Sequence, residues 1–369
     1  MNFWVAGMSR SDRRGVEEKA MKRFVVASAA LIGAVTMLHA GESIAQQSIT
    51  ISSWGGAFQK AQREAWFNVV EKELGITIKE DTTSGVADIR AQVASGRPTW
   101  DLSTQGAHTC GILEKEGKLE KLDAAIVKDA GVPKDLKTDY WISQIVYSIA
   151  IGWRTKAFSD KKPAGWAAFW DTKNFPGQRS MRRHPIYNLE AALIADGVPL
   201  DKLYPIDVDR AFKKLEELKP HVLVWWNSGA QSAQILQDGE VDMVGAWNGR
   251  IQAAMKEKEA KGGPLAITFE QQMLVSDCWL IPKGAPNKDL AMKAIAIMMR
   301  PDVQARLPQY INYAPANLAA FETGLISKEL AAQLPNSPEN IGKGFLLNVD
   351  WWVKNSDEMV KRFDAFVQK

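Results

Sequence analysis

The chain has 369 residues, with 46 Lys/Arg against 43 Asp/Glu, 24% charged and 46% hydrophobic. That length exceeds one ordinary domain and suits two, and the composition excludes a disordered chain. The near-balance of charge removes any reason to expect nucleic acid or an anionic membrane as partner.

The first 45 residues read as a leader rather than as fold. Met21-Lys22-Arg23 is a basic start, and Phe24 to Leu38 is an apolar core too short to span a bilayer. Ser43-Ile44-Ala45 then offers small residues for cleavage after Ala45, ahead of Gln46. Residues 1–20 are charged and unpatterned and read as an over-extended start. Cys110 and Cys278 are the two cysteines. Export leaves a bridge open to them, but two separately buried thiols are the plainer expectation.

Residues 48–54 alternate and are β-branched, so they predict a first strand, which ends in Trp54-Gly55-Gly56. A helix from about Gln59 to Leu74 and a strand at Ile76–Glu80 complete a parallel β-α-β unit. Thr82-Thr83-Ser84-Gly85 leads into a helix over Val86–Ala94. A third strand at Trp100–Thr104 delivers Gln105-Gly106-Ala107-His108. Each strand so far releases Trp/Gly, Thr/Ser/Gly or Gln/Gly/His toward one rim, as half of a cleft would. Residues 140–154 are one long apolar strand, able to cross between domains. Helices are expected at Asn188–Ala195 and Val208–Lys219.

The stretch Trp225–Arg250 has three parts. Ser228 caps a helix, Asp238-Gly239 stops it, and Val241–Ala246 is a short buried strand ending in Trp247-Asn248-Gly249. Ligands in open α/β sheets sit beyond the carboxyl ends of strands, so Trp247 suits the floor of a crevice. A core tryptophan closing the sheet edge explains it equally well. A second crossing strand runs from Gln272 to Pro282. It holds Asp277, an acid that is costly in an apolar strand unless paired. A helix at Lys288–Met299, a loop at Ile311–Asn317 and an amphipathic tail helix at Ser356–Val367 complete the chain.

Several chemistries are missing from the sequence. It has no phosphate-binding glycine loop, no nucleophile elbow and no metal-ligand spacing among His108, His184 and His221. The acid pairs Glu71/Glu73, Glu216/Glu217 and Glu257/Glu259 lie on lysine-rich helical faces, where a solvated surface is the default. No catalytic residue, metal site or cofactor is therefore expected.

Taken together, several segments resemble the periplasmic solute-binding proteins of ABC importers, and among them the spermidine/putrescine-binding branch. The carriers are Ser53-Trp54, Trp100-Asp101-Leu102, Gly165 to Asp171, Gly239-Glu240-Val241 through Gly249, Ser276-Asp277-Cys278, Met299 to Val303, and Tyr313 to Asn317. The resemblance implies a type II α/β fold of two lobes joined by two crossover strands, with the ligand in the interlobe cleft. Residues 46–149 plus 274–318 would form lobe I, and residues 150–273 plus 319–369 lobe II. It also implies a periplasmic, monomeric receptor serving an inner-membrane ABC permease.

In that branch aromatic rings box the ligand's methylene chain and carboxylates hold its amines. Trp247 and Tyr313 match rings, and Asp277 matches an amine-binding acid. Where a second pair of acids is expected, this chain has Arg182-Arg183-His184-Pro185-Ile186-Tyr187. Val275 replaces a tryptophan, and Ala57 and His108 replace tyrosines. The expected ligand is therefore a short amine, or a zwitterion with its amine on Asp277 and its carboxylate near Arg182, Arg183 or His184. Trp54, Gly55, Ser84, His108, Arg182, His184, Tyr187, Ser228, Trp247, Asn248, Asp277 and Tyr313 are the candidate ligand-binding residues. The rival readings are an exported enzyme acting on a small amine or ester through His108, His184 or Cys278, and a carbohydrate binder using Trp225-Trp226 and Trp351-Trp352. Neighbouring residues on a strand face opposite ways, which argues against the second rival.

Overall fold

The computed structural model describes residues 47–128, 131–158, 161–256 and 263–368. The leader and the pair Glu257/Glu259 lie outside the described residues. Strand β1 (Ser48–Ser53) pairs in parallel with β2 (Thr77–Thr82) and with β3 (Leu102–Gly106). Between β1 and β2 the chain winds as α1 (Gly56–Gln62), a π-turn (Arg63–Phe67) and α2 (Asn68–Leu74). The helix expected from Gln59 thus starts earlier, and it carries a bulge. Gly55 and Gly56 take φ of 67° and 57°, a region open to glycine at little cost, and this lets the chain turn sharply off β1. α3 (Val86–Ala94) and α4 (Ala107–Lys115) follow, the latter entered directly from β3.

Two long strands organise the rest. β4 (Trp141–Arg154) and β8 (Leu265–Leu280) run antiparallel side by side, from Trp141 opposite Leu280 to Arg154 opposite Leu265. At about 3.3 Å per residue each is far longer than a usual strand, and the two halves of each serve different neighbours. The carboxyl-terminal half of β8 pairs with β3, which places Gly106 opposite Asp277. The second half of β4 pairs with β7 (Met243–Trp247), which places Trp247 opposite Ile149. β7 then pairs with β5 (Arg179–Arg182), and β5 with β6 (Val222–Trp226), both in parallel. The full order is β2-β1-β3-β8-β4-β7-β5-β6, with β9 (Ala314–Pro315) on β4 and β10 (Gly344–Leu346) on β8. Two α/β halves thus share the crossing pair. β8 begins well before the expected Gln272, because Ile267-Thr268-Phe269-Glu270 alternates apolar and polar residues, as a half-buried strand does.

The second half carries α5 (Gly165–Trp170), α6 (Asn188–Ala195), α7 (Val208–Leu218), α8 (Gly229–Gln237) and α9 (Asn248–Met255). The apolar stripe of α7 buries Ala211, Phe212, Leu215 and Leu218, as its period requires. Ser228 caps α8 by accepting from the Gln231 N–H. α10 (Lys288–Met298) packs beside α2 in the first half.

The C-terminal helix α11 (Val349–Gln368) is longer than its periodic tail predicts and includes Trp351 and Trp352. That pair therefore sits on a helix and not on a strand, with rings edge to face at 4.9 Å, so the strand argument does not apply to it. α11 packs on α4 at its start, and its Phe363 and Phe366 meet Phe212 and Trp225 farther along. Trp352 donates to Glu190 Oε1 at 2.6 Å, and Tyr204 donates to the same oxygen, also at 2.6 Å. Cys110 and Cys278 form a disulfide between α4 and β8, which corrects the expectation of two separate thiols. Of the acid pairs, Glu73 bonds Arg300 and Glu71 bonds Arg63, so these are surface ion pairs as expected.

Candidate ligand-binding site

The carboxyl ends of β1, β3, β5 and β7 converge where β4 and β8 cross. Trp54 follows β1, Gly106 ends β3 and His108 follows it, Arg182 ends β5 and Trp247 ends β7. Asp277 lies at the centre and is 4% exposed. Its Oδ2 accepts from Trp54 Nε1 at 2.7 Å and its Oδ1 from the Tyr147 hydroxyl at 2.9 Å. The β4–β8 register explains the second bond: Ile145 is directly opposite Asp277, so Tyr147 is its diagonal neighbour, within reach of a long side chain. Burial pushes the Asp277 carboxyl up to about 7, while the two hydrogen bonds and the Arg182 charge pull it down. An ionised carboxylate here lacks a cation within ion-pair distance among the described residues.

Aromatic rings surround this acid. Tyr147 lies 5.5 Å from Tyr313 and 6.3 Å from Trp247, and Phe58 lies 5.7 Å from Tyr313. Trp226 backs Trp247 edge to face at 5.2 Å. The Arg182 guanidinium stands over two ring faces, 5.4 Å from Tyr187 and 5.5 Å from Trp247. Tyr187 holds a left-handed φ of 80°, an uncommon conformation for a bulky residue, and its backbone N–H donates to Glu190 Oε2. Burial first, and then the Arg182 charge, push His108 down to about 3. His184 is lowered by burial, Arg182 and His108 in that order. Both imidazoles are therefore neutral at physiological pH.

Arg250 is the residue that sequence reasoning missed. It sits in the first turn of α9, one helical turn beyond Trp247. Its Nε is buried and has no hydrogen-bond partner among the described residues. A Cβ placed on Gly229 would lie 2.8 Å from that nitrogen and 2.7 Å from the Trp247 ring, so glycine at the start of α8 makes room for both. Burial raises the Tyr313 hydroxyl to about 12, against the pull of the Arg250 charge beside it. Gly249 serves Tyr313 in the same way: any Cβ there would overlap the ring. The run Trp247-Asn248-Gly249-Arg250 carried part of this signal, since an arginine in the first turn of a helix that starts directly from Trp247 stays close to that ring. Tyr147 was also missed, because it lies inside an apolar run that reads as core.

The structure brings Trp54, His108, Arg182, His184, Tyr187, Trp247, Asp277 and Tyr313 together. Gly55 shapes the turn beside them, and its N–H bonds Gln59. Ser84 is not brought in: it is exposed, and its hydroxyl and N–H both bond Asp88. Ser228 acts as the cap of α8. The Asn248 side chain accepts from the Ser148 N–H and donates to Gln252 Oε1 and the Asn312 carbonyl. It clips α9 to β4, and both of its N–H donors are taken within the protein. Arg183 is exposed and donates its N–H to the Trp226 carbonyl. Cys278 is disulfide-bonded, so it offers no thiol nucleophile. Among the described residues no group of three or more His, Cys, Asp or Glu could hold a metal.

A two-lobed α/β fold with an acid, arginines and a cluster of edge-packed and tilted rings between its halves defines a receptor for a small solute. The chain belongs to the family of bacterial extracellular solute-binding proteins, whose family model matches residues 65–335. It is 34% identical over 335 residues to the gamma-aminobutyric acid-binding protein of Pseudomonas aeruginosa, covering 88% of this chain and 92% of that one. It is 24% identical to the spermidine/putrescine-binding periplasmic protein of Salmonella typhimurium, covering 88% and 93%. A solved ABC transporter substrate-binding protein from Bradyrhizobium japonicum USDA 110 superposes with a TM-score of 0.83 at 46% identity, covering 88% of this chain and all of the other. The resemblance drawn from the sequence is thereby borne out.

Proposed function

We propose that this protein binds a short zwitterionic amine, an ω-amino acid of the 4-aminobutyrate kind, and presents it to an inner-membrane ABC permease. The observation that carries the reading is the pairing of a buried acid and an arginine at two ends of one aromatic cluster. The ligand's ammonium would sit on Asp277, between Trp54 and Tyr147. Its carboxylate would meet Arg250 beside Tyr313, and its methylenes would lie against Trp247 and Tyr313. An ammonium offsets the cost of ionising Asp277 in a dry site, which is why the acid is worth keeping there. The similarity to a gamma-aminobutyric acid-binding protein supports this class over a long polyamine, which needs acids at both ends of the cleft.

The lobes would be residues 46–149 plus 274–318 and residues 150–273 plus 319–369. They would close on the ligand about the β4–β8 crossing, after a leader cleaved behind Ala45 has delivered a monomer to the periplasm. No turnover is expected, since His108 and His184 are poor bases and Cys278 is bridged. The test is a thermal-shift panel on the chain from Gln46, with 4-aminobutyrate, putrescine, spermidine, cationic amino acids and simple sugars. A ligand at a hundredfold excess over Kd stabilises by about 2.7 kcal/mol, a shift of several degrees. A shift with 4-aminobutyrate and none with spermidine is expected; the reverse pattern would refute the zwitterion reading.

A further inference from the structure

The cluster holds more positive charge than an amino monocarboxylate can balance. Among the described residues, Asp277 is the one carboxylate that accepts hydrogen bonds from side chains of the cluster. Arg182 and Arg250 both face it, and neither has an acid within ion-pair distance. Glu190 is held by other partners: Oε1 accepts from Tyr204 and Trp352, and Oε2 from the Tyr187 backbone N–H. With Arg250 taken by one carboxylate and Asp277 by the ammonium, Arg182 is left over. Its guanidinium carbon lies 5.4 Å from the Tyr187 ring and 5.5 Å from the Trp247 ring, and these two cation–π contacts restrain the group beside the cleft. His184 Nδ1 accepts from the Ile186 N–H and His108 Nε2 pairs with Thr109 Oγ1, so each neutral imidazole keeps its other ring nitrogen for a ligand without adding charge.

We propose that Arg182, with His108 and His184, forms a second anion seat, and that the preferred ligand is an amino dicarboxylate: an ammonium on Asp277 and two acidic groups, one on each arginine. Such a ligand has a net charge of −1 and neutralises the site. Arg182 acts on Asp277 and His108, whereas Arg250 acts on Tyr313, so the second acid belongs near the ammonium end of the ligand. This deepens the zwitterion reading and rests on it.

The test is calorimetric titration of the chain from Gln46 at pH 8 and low salt, with three probes. These are 4-aminobutyrate, and L- and D-glutamate, which are the same skeleton with one more carboxylate on the amine-bearing carbon. The tighter glutamate enantiomer is expected to bind at least about tenfold better than 4-aminobutyrate, the worth of one further charge-assisted contact. In Arg182→Gln that ratio is expected to collapse to about one. A wild-type ratio of one or less overturns the second seat whether or not the variant folds, and leaves the single-seat reading intact. A tenfold ratio that survives in a folded Arg182→Gln overturns the assignment to Arg182. If none of the three probes binds, the zwitterion reading itself fails, and this proposal fails with it.

Discussion

Asp277→Asn separates what the acid costs the fold from what it contributes to binding. In the unliganded protein the carboxyl is raised from 3.8 to about 7, so ionising it inside the cleft costs about 4 kcal/mol relative to water. The sign follows from linkage. Between about pH 4 and pH 7 the unfolded chain has released this proton and the folded chain still holds it. The contribution to stability is therefore full below the unfolded value, is lost as pH rises through about 7, and stays lost above that. Asparagine removes the ionisation. It keeps one oxygen acceptor but turns an NH2 toward either Trp54 Nε1 or the Tyr147 hydroxyl, and this mismatch returns about 1–2 kcal/mol.

The net expectation at pH 8 is an unliganded variant that melts a few degrees above the wild type, with the acid-side slope between pH 4 and 7 removed. Binding moves the opposite way. An ammonium needs the ionised form, so wild-type affinity should fall about tenfold per pH unit below 7, while the variant loses about a hundredfold at pH 8 and has no such slope. Melting curves from pH 4 to 8, paired with calorimetry, read both quantities. A variant less stable than wild type at pH 8, with affinity unchanged within about threefold, would refute the reasoning.

Three other perturbations probe the supports of the site. Gly249→Ala drives a Cβ into the buried Tyr313 ring, so ligand affinity should fall at least about tenfold and the melting point should drop, because overpacking costs about 1–3 kcal/mol against about 1 kcal/mol gained from the helix-favouring alanine; an unchanged Kd would contradict the packing. Trp352→Ala removes a fully buried indole and its bond to Glu190, and should cost about 3–5 kcal/mol in urea unfolding and free α11 for proteolysis; a loss under 1 kcal/mol would show that α11 is not anchored there. Reduction of Cys110–Cys278, whose partners are 168 residues apart, should cost about 2–4 kcal/mol; an unchanged unfolding midpoint under reductant would contradict a structural role for the bridge.

What could be read from the chain depended on how local the signal was. The helix at Asn188–Ala195 and the capped helix after Ser228 carry their own start and stop residues, and the structure keeps their bounds. Asp277 was visible because an acid in an apolar strand is a local anomaly. Tyr147 was not, because in an apolar run a tyrosine looks like core until its register beside Asp277 is known. Arg250 was within reach, since it follows Trp247 by three residues, but a strand ending at Gly249 reads as a turn and hides the continuation into α9. At the end of a strand Asn248 looks free, and only the three-dimensional neighbours Ser148, Gln252 and Asn312 show that both its donors and one acceptor position hold α9 in place. The disulfide depended on α4 returning to β8, a contact that spacing alone does not reveal.

The central claim is that one ligand must satisfy both an acid and an arginine across the aromatic cluster. The direct measurement is the Kd of 4-aminobutyrate against butylamine and butyrate, which each keep only one of its charged ends, on the same preparation at pH 8. Each lost end removes a charge-assisted contact, so both analogues should bind at least about a hundredfold more weakly than 4-aminobutyrate. Butylamine binding as tightly as 4-aminobutyrate would mean that Asp277 and the rings act alone, and would contradict the account.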